Sequence, residues 1–229
     1  MANVLITGAN RGIGLELVRQ YAADGARVFA GVRDPAKAAA LSELARDAGG
    51  RISLHQLDVA STPSVEAFAK DVGDTAIDVL INNAGVSGSH QSLDDMNFDN
   101  WLDALNVMTL GPFRVSQAFL PHLEKAGAAK VMTVTSQIAA STWPHGGTYA
   151  YASAKAAVNR VMQVLAIDLK PRGVTVAVIH PGWVKTDMGG PNADITPEES
   201  ACGIRKVIAG MTLADTGKFF KWNGDMHPW

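Results

Sequence analysis

Near its N-terminus the chain carries the sequence NVLITGANRGIG, which occupies residues 3–14. An apolar run is followed there by three closely spaced glycines, Gly8, Gly12 and Gly14. Glycine lets the backbone turn sharply and approach a ligand, and the N-terminus of a following helix favours an anion such as a pyrophosphate. The stretch therefore predicts a strand, a phosphate-binding turn and a helix. Its spacing is G-x-x-x-G-x-G rather than G-x-G-x-x-G, so an ordinary strand-to-helix turn remains an alternative for this motif by itself.

Length and composition limit the class of protein. A chain of 229 residues with 47% hydrophobic content can bury one substantial core, so we expect a single domain over residues 1–229. A formal net charge of −2 predicts no nucleic-acid partner and no membrane partner. The six histidines lack metal-ligand spacing, so we expect no metal. The single cysteine, Cys202, and a strand that starts at once favour a cytoplasmic protein without a signal peptide.

Strand and helix patterns alternate along the chain, which predicts a doubly wound α/β fold with a mostly parallel sheet and helices on both faces. The apolar run 174–180 is typical of a strand that is covered on both faces. Two helix starts carry Thr-Pro, at Thr62 and Thr196, and Glu199 predicts a capping box with Thr196. Seven strands are predicted, near residues 3–7, 26–32, 51–57, 77–81, 130–135, 174–180 and 218–221.

The helix predicted from about 148 to 169 is apolar around most of its circumference. Such a helix is covered on more than one side, and the sheet can cover only one of them. We expect a symmetric partner to cover the other side, together with a helix near 112–126. The sequence thus predicts a homodimer, or a homotetramer that contains this dimer.

One face of that helix carries both Tyr151 and Lys155, because residues four apart lie one above the other. A phenol with a pKa of about 10 exchanges protons poorly at neutral pH unless a nearby cation stabilises its phenolate. Y-x-x-x-K is common by chance, but here it follows Ser136 at the end of an apolar run. Tyr149 is a rival phenol whose partner one turn along is Ser153, which is no cation. We expect Tyr149 to form part of a pocket wall.

Several short motifs follow one another along the chain. They are residues 7–14, 58–59 and 82–85, then Asn106, Ser136, Tyr151 with Lys155, and Pro181-Gly182 with Thr186. In this order they resemble the motifs of the short-chain dehydrogenase/reductase family, and the resemblance covers almost the whole chain. Residues 180–190 and the ending 222–229 resemble its carbonyl-reductase-like branch, which includes the sniffer and C-factor proteins. The resemblance implies a single-domain Rossmann fold with a seven-stranded sheet.

The resemblance also implies a nicotinamide dinucleotide cofactor. Arg33 follows the second strand, where NAD-preferring relatives usually carry an acid, and Arg33 and Arg11 could instead pair with a 2′-phosphate. We therefore expect NADP(H) rather than NAD(H), with a solvated loop arginine as the alternative for Arg33. The expected cofactor-binding residues are Gly8, Asn10, Arg11, Gly12, Ile13, Gly14, Arg33, Asp58, Val59, Asn82, Ala84, Gly85, Tyr151, Lys155, Pro181, Gly182, Val184 and Thr186.

The implied reaction is reversible hydride transfer between nicotinamide C4 and a carbonyl carbon. Tyr151 would donate the proton, and Ser136 would donate a hydrogen bond to the substrate oxygen. Lys155 would lower the pKa of the phenol and hold the nicotinamide ribose. Asn106 would hold a water that relays protons to Lys155, unless it is a kink or surface residue.

The substrate side is less well defined by the sequence. Gly189 and Gly190 predict a mobile flap near 184–196. The favoured hypothesis is an NADPH-dependent reductase of ketones, aldehydes or quinones. Two alternatives stay open, an alcohol dehydrogenase that works oxidatively and a dinucleotide-binding signalling protein that has lost catalysis. The candidates for lining the cavity, or for simple loop packing, are Trp143, His145, Trp183 and Met188.

Overall fold

A seven-stranded sheet forms the centre of this computed structural model, which describes residues 1–87 and 91–229. Its strands are β1 (Asn3–Thr7), β2 (Arg27–Val32), β3 (Ile52–Gln56), β4 (Val79–Asn82), β7 (Lys130–Val134), β8 (Thr175–His180) and β9 (Phe219–Lys221). A separate antiparallel hairpin pairs β5 (Gln91–Ser92) with β6 (Asp95–Met96). The strand order of the large sheet is β3-β2-β1-β4-β7-β8-β9, and all neighbouring strands are parallel, which confirms the predicted fold.

Helices cover both faces of the sheet, because successive strand residues point to opposite faces and both faces are apolar. Val4 and Ile6 belong to the buried cluster on one face, and Leu5 belongs to the cluster on the other. Within the described ranges, no helix is long and apolar enough to span a membrane. The helices are α1 (Gly12–Ala23), α2 (Ala39–Asp47), α3 (Thr62–Val72), α4 (Phe98–Leu105), α5 (Gly111–Ala118), α6 (Leu120–Lys125), α7 (Tyr149–Leu169) and α8 (Pro197–Gly210).

The helix expected near 112–126 is instead two helices, α5 and α6, which meet at Phe119. Pro121 lies in the first turn of α6, and it has no N–H to continue the hydrogen-bond ladder from α5. A π-helical turn at Asn106–Leu110 joins α4 to α5.

The predicted cap at Thr196 is confirmed, since its hydroxyl accepts from the Glu199 amide and the Glu199 carboxylate accepts from the Thr196 amide. The predicted cap at Thr62 is wrong. Ser61 caps α3 by accepting from the amide of Ser64, and Thr62 already belongs to the helix. Two adjacent hydroxyls made the boundary ambiguous by one residue.

Candidate active site

The glycine turn between β1 and α1 is packed so tightly that side chains are excluded from it. Gly8 has a φ of +66°, and a Cβ there would lie 2.8 Å from the Cα of Ala84. A Cβ on Gly14 would lie 2.2 Å from the carbonyl oxygen of Gly8. Both positions therefore require glycine, and the bare backbone at the start of α1 fits the close approach of a pyrophosphate.

Thr7 and Asn83 tie the glycine turn to the turn that follows β4. The Thr7 hydroxyl accepts from the amides of Asn83 and Ala84, each at 3.0 Å. The Asn83 side-chain amide donates to the carbonyls of Thr7 and Gly8, each at 3.1 Å. Two turns far apart in sequence thus form one rigid unit at the carboxyl edge of the sheet, where ligands bind in such folds.

Ser136, Tyr151 and Lys155 come together at the same edge of the sheet. Ser136 follows β7, and its hydrogen bond with Tyr151 joins that loop to α7. The Lys155 ammonium lies 5.8 Å from the centre of the Tyr151 ring and donates to the Val134 carbonyl at 2.7 Å. The structure therefore brings together a hydroxyl, a phenol and a cation from two elements.

Burial controls the protonation of this group. Burial raises the pKa of Tyr151, and the hydrogen bond with Ser136 opposes the rise. Burial also lowers the pKa of Lys155 to about 8, because desolvation disfavours the ammonium. The pKa of the phenol is therefore raised rather than lowered as predicted, and the Lys155 ammonium is directed to the Val134 carbonyl.

The segment after β8 rests on the glycine turn. A Cβ on Gly12 would lie 3.1 Å from the Thr186 side chain, and Arg11 forms an ion pair of 2.6 Å with Asp187. Val184 is buried and bridges to Ile195, so the two ends of the predicted flap are joined. At the start of the segment the Pro181 carbonyl accepts from the Ser200 hydroxyl at 2.6 Å, and a Cβ on Gly182 would lie 2.5 Å from the Ile195 side chain. The contacts of these residues with a dinucleotide stay predictions.

Residues 2–195 match the family model described as short chain dehydrogenase. The chain belongs to the short-chain dehydrogenase family. Its members in this comparison include C-signal from Myxococcus xanthus, which is 41% identical over 168 residues, or 72% of this chain and 100% of that protein.

Two solved structures of the family superimpose over the whole of this chain. The NADPH-bound carbonyl reductase from chicken fatty liver is 33% identical, with a TM-score of 0.92 and 99% of its own length covered. Carbonyl reductase Sniffer of D. melanogaster is 29% identical, with a TM-score of 0.93 and 100% of its length covered. These likenesses agree with the carbonyl-reductase-like branch predicted from residues 180–190 and 222–229.

Asn106, the predicted water relay of this dehydrogenase, lies at the start of the π turn, and the relay itself stays a prediction. Its amide nitrogen donates to the Ala60 carbonyl at 3.4 Å, and its oxygen accepts from Arg114 at 3.2 Å. Met108, in the same turn, belongs to a buried apolar cluster with alanines of α4 and α7, and Tyr151 packs against this cluster.

Asn82, which is predicted to bind the cofactor, ends β4. Its side chain is buried and donates to the hydroxyls of Ser116 and Thr133 at 3.2 and 3.4 Å. Adjacent residues at a strand end point in opposite directions, so the side chain of Asn83 rather than that of Asn82 reaches the glycine turn. The contact of Asn82 with the cofactor stays a prediction.

The loop after β3 is where the adenine side of a dinucleotide was expected. Asp58 accepts from the amide of Ala60 at 3.0 Å, which closes a tight turn, and Val59 is buried beneath it. Nearby, Arg33 is exposed two residues beyond Gly31, whose carbonyl accepts from the Gly8 amide. Asn10 is exposed in the glycine turn, Ile13 is half-buried in the first turn of α1, and Gly85 faces the sulfur of Met108.

The substrate-lining candidates form two separate pairs. The rings of Trp143 and His145 are 5.1 Å apart, edge to face. Trp183 donates from its indole to the Gly189 carbonyl at 2.8 Å, in the same segment as Met188. Tyr149 belongs to neither pair. Its ring lies 6.5 Å from that of Trp101 on α4, whose indole donates to Ser153, and its place in a pocket wall stays a prediction.

Proposed function

We propose that this oxidoreductase is an NADP(H)-dependent reductase of small carbonyl compounds, with Tyr151 as the proton donor. The observation that carries the proposal is the meeting of Ser136, Tyr151 and Lys155 at the edge of the sheet that holds the glycine turn. A buried phenol beside a hydroxyl and a cation suits proton transfer to an oxygen that gains negative charge.

When bound, the reduced nicotinamide supplies the hydride that adds to the carbonyl carbon. Ser136 donates a hydrogen bond to the carbonyl oxygen and so stabilises its developing negative charge. Tyr151 transfers its hydroxyl proton to the same oxygen, which gives the alcohol. The Lys155 ammonium, 5.8 Å from the centre of the ring, is the cation beside the phenolate left behind, and solvent returns the proton.

The choice of NADP(H) rests on Arg33, which is exposed beyond β2 close to the glycine turn. The likeness to a chicken carbonyl reductase described as NADPH-bound supports it. We further propose that residues 1–229 form one domain and that 184–196 act as the substrate flap.

The test is NADPH and NADH binding by fluorescence, followed by turnover of a panel of ketones, aldehydes and quinones. NADPH-dependent reduction of at least one carbonyl class supports the proposal. Preference for NADH, or oxidation of alcohols alone, contradicts it and favours the oxidative dehydrogenase.

A second candidate is a dinucleotide-binding signalling protein. The likeness to C-signal favours it, at 41% identity over 168 residues. The intact group of Ser136, Tyr151 and Lys155 weighs against it, because binding alone does not need a proton donor. NADPH binding without turnover of any carbonyl would select this candidate.

We also propose that the protein is a homodimer, or a homotetramer built from that dimer. Val164 and Ile167 on α7 are 44% and 67% exposed, and they leave an apolar face on a helix whose other side packs on the sheet. Sedimentation at micromolar concentration should give a dimer or larger species, and a monomer alone would contradict the proposal.

A further inference from the structure

Arg114 on α5 donates hydrogen bonds in three directions from one guanidinium. Its Nη1 donates to the carbonyl of Val59, and its Nε donates to the Thr62 hydroxyl at 3.0 Å. Its Nη2 donates to the Asn106 side-chain oxygen at 3.2 Å. One side chain therefore connects the loop after β3 with the start of α3 and with the π turn.

Two further contacts complete this connection. Asn106 donates back to the Ala60 carbonyl at 3.4 Å, so the loop is held at two successive carbonyls, those of Val59 and Ala60. A Cβ on Gly111 would lie 3.0 Å from the Val59 side chain, so α5 packs directly on the loop. We call Arg114, Asn106 and the two carbonyls the adenine-loop brace.

The brace acts on the backbone of the loop rather than on a ligand. The hydrogen bonds that Asp58 makes in the loop are local: its carboxylate accepts from the Ala60 amide, its carbonyl accepts from the Ser61 amide, and its amide donates to the Ser64 hydroxyl. The brace adds contacts from α5 and from the π turn. A guanidinium has a planar set of donors, so it fixes the relative position of several acceptors in a way that a lysine cannot.

We infer that Arg114 is a positioning residue for the adenosine half of the cofactor. It holds the loop 58–62 in the conformation that receives the adenine. The inference rests on the proposed function, because the loop is a cofactor site only if the protein binds NADP(H). Arg114 itself does not take part in the chemistry.

The experiment compares Arg114→Met, which keeps the aliphatic stem and removes the donors, with the wild-type protein. The Kd for 2′,5′-ADP and the KM for NADPH should rise about tenfold, as expected when a charged donor is lost. The kcat at saturating NADPH should change less than about twofold, since Ser136, Tyr151 and Lys155 remain in place. Arg114→Lys should regain part of the affinity, because an ammonium can reach only some of the acceptors.

Arg172→Met is the matched control, because this arginine pairs with Glu124 at the surface and contacts neither the loop nor the π turn. It should leave 2′,5′-ADP binding unchanged. If Arg114→Met does not fold, Thr62→Val removes a single acceptor and should raise the same Kd by about two- to threefold. Unchanged 2′,5′-ADP binding in the folded Arg114 variant, or a loss confined to kcat, overturns the brace while the proposed function stands. Wild-type protein that binds neither NADPH nor 2′,5′-ADP overturns both.

Discussion

The glycine turn and the segment after β8, proposed to hold the cofactor and the substrate, are built in different ways. Around the glycine turn, Thr7 and Asn83 make four hydrogen bonds and neighbouring backbone excludes side chains at Gly8 and Gly14. In the segment after β8, Trp183 and Met188 are 47% and 45% exposed. The first region is fixed by hydrogen bonds between side chains and backbone, and the second presents large apolar side chains to solvent.

This difference has a chemical reason. A dinucleotide is always the same molecule, so a rigid backbone cradle can match it at little entropic cost. Exposed side chains on loops have few contacts that hold them, so they can vary without cost to the fold. We therefore expect substitutions near the sheet edge to have large effects and substitutions in the loops to have small ones.

The largest effect is expected at Tyr151. Tyr151→Phe removes one hydroxyl and keeps the ring, so folding and NADPH binding should survive. Turnover should fall by about 10²- to 10⁴-fold, as is typical when a general acid is lost. Steady-state kinetics with cofactor binding measured alongside checks this expectation.

Tyr149→Phe is the control for this change, because Tyr149 is on the same helix but faces Trp101. It should lower turnover far less than Tyr151→Phe. If Tyr149→Phe were inactive and Tyr151→Phe remained active, Tyr149 rather than Tyr151 would be the proton donor. Lys155→Met should reduce both turnover and cofactor affinity.

The sequence predicted most of what depends on local pattern. All seven strands of the sheet, the glycine turn and the capping box at Thr196 follow from apolar runs, glycine spacing and hydroxyl–acid spacing. The meeting of Ser136 with Tyr151 was implied by the family resemblance, and their hydrogen bond agrees with it.

The sequence did not predict features that depend on the direction of a side chain or on a contact with a residue far away in the chain. The π turn at Asn106–Leu110 and the hydrogen bonds of Asn106 with Ala60 and Arg114 leave no local signal in the sequence. Asn82 and Asn83 are the same residue type, and only the structure shows that Asn82 binds Ser116 while Asn83 binds the glycine turn. Arg114 reaches a carbonyl 55 residues earlier in the chain, and such a contact leaves no local pattern.

A second large effect concerns stability at low pH. His180 at the end of β8 accepts a hydrogen bond from the Gln137 amide at 3.2 Å, next to Ser136. Burial, with His227 and Lys221 close by, lowers its pKa from 6.5 to about 4. Between pH 6.5 and 4 the unfolded chain binds the proton and the folded chain does not. The contribution of neutral His180 to the free energy of unfolding is therefore fully present above about pH 6.5 and is lost as the pH falls toward 4.

Protonation of this one histidine lowers the free energy of unfolding by at most about 3 kcal/mol. In urea unfolding between pH 7 and 4, the plot of this free energy against pH should have a slope that His180→Gln makes shallower. The exposed His145→Gln serves as the control and should keep the wild-type slope. Identical slopes in all three proteins would show that His180 does not set the acid limit.

An intermediate effect is expected for cofactor choice. Arg33→Asp should remove a charge-assisted contact and place a like charge beside the 2′-phosphate. NADPH affinity should fall by about ten- to a hundredfold, while NADH affinity changes little or improves. Fluorescence titration with both cofactors measures the change. Equal losses for NADPH and NADH would mean that Arg33 does not read the phosphate.

The smallest effect is expected where the two regions touch, at the ion pair between Arg11 and Asp187. The side chains are 61% and 76% exposed, and an exposed pair contributes only about 0–1 kcal/mol. Asp187→Asn should therefore change NADPH affinity by less than about fivefold. If Arg11 binds the phosphate, its release from Asp187 should strengthen binding rather than weaken it. NADPH titration of the variant and the wild type at low and high salt tests this, because screening by salt should abolish an electrostatic difference in affinity between them. A large loss of affinity that persists at high salt would instead show that the flap is held as firmly as the glycine turn.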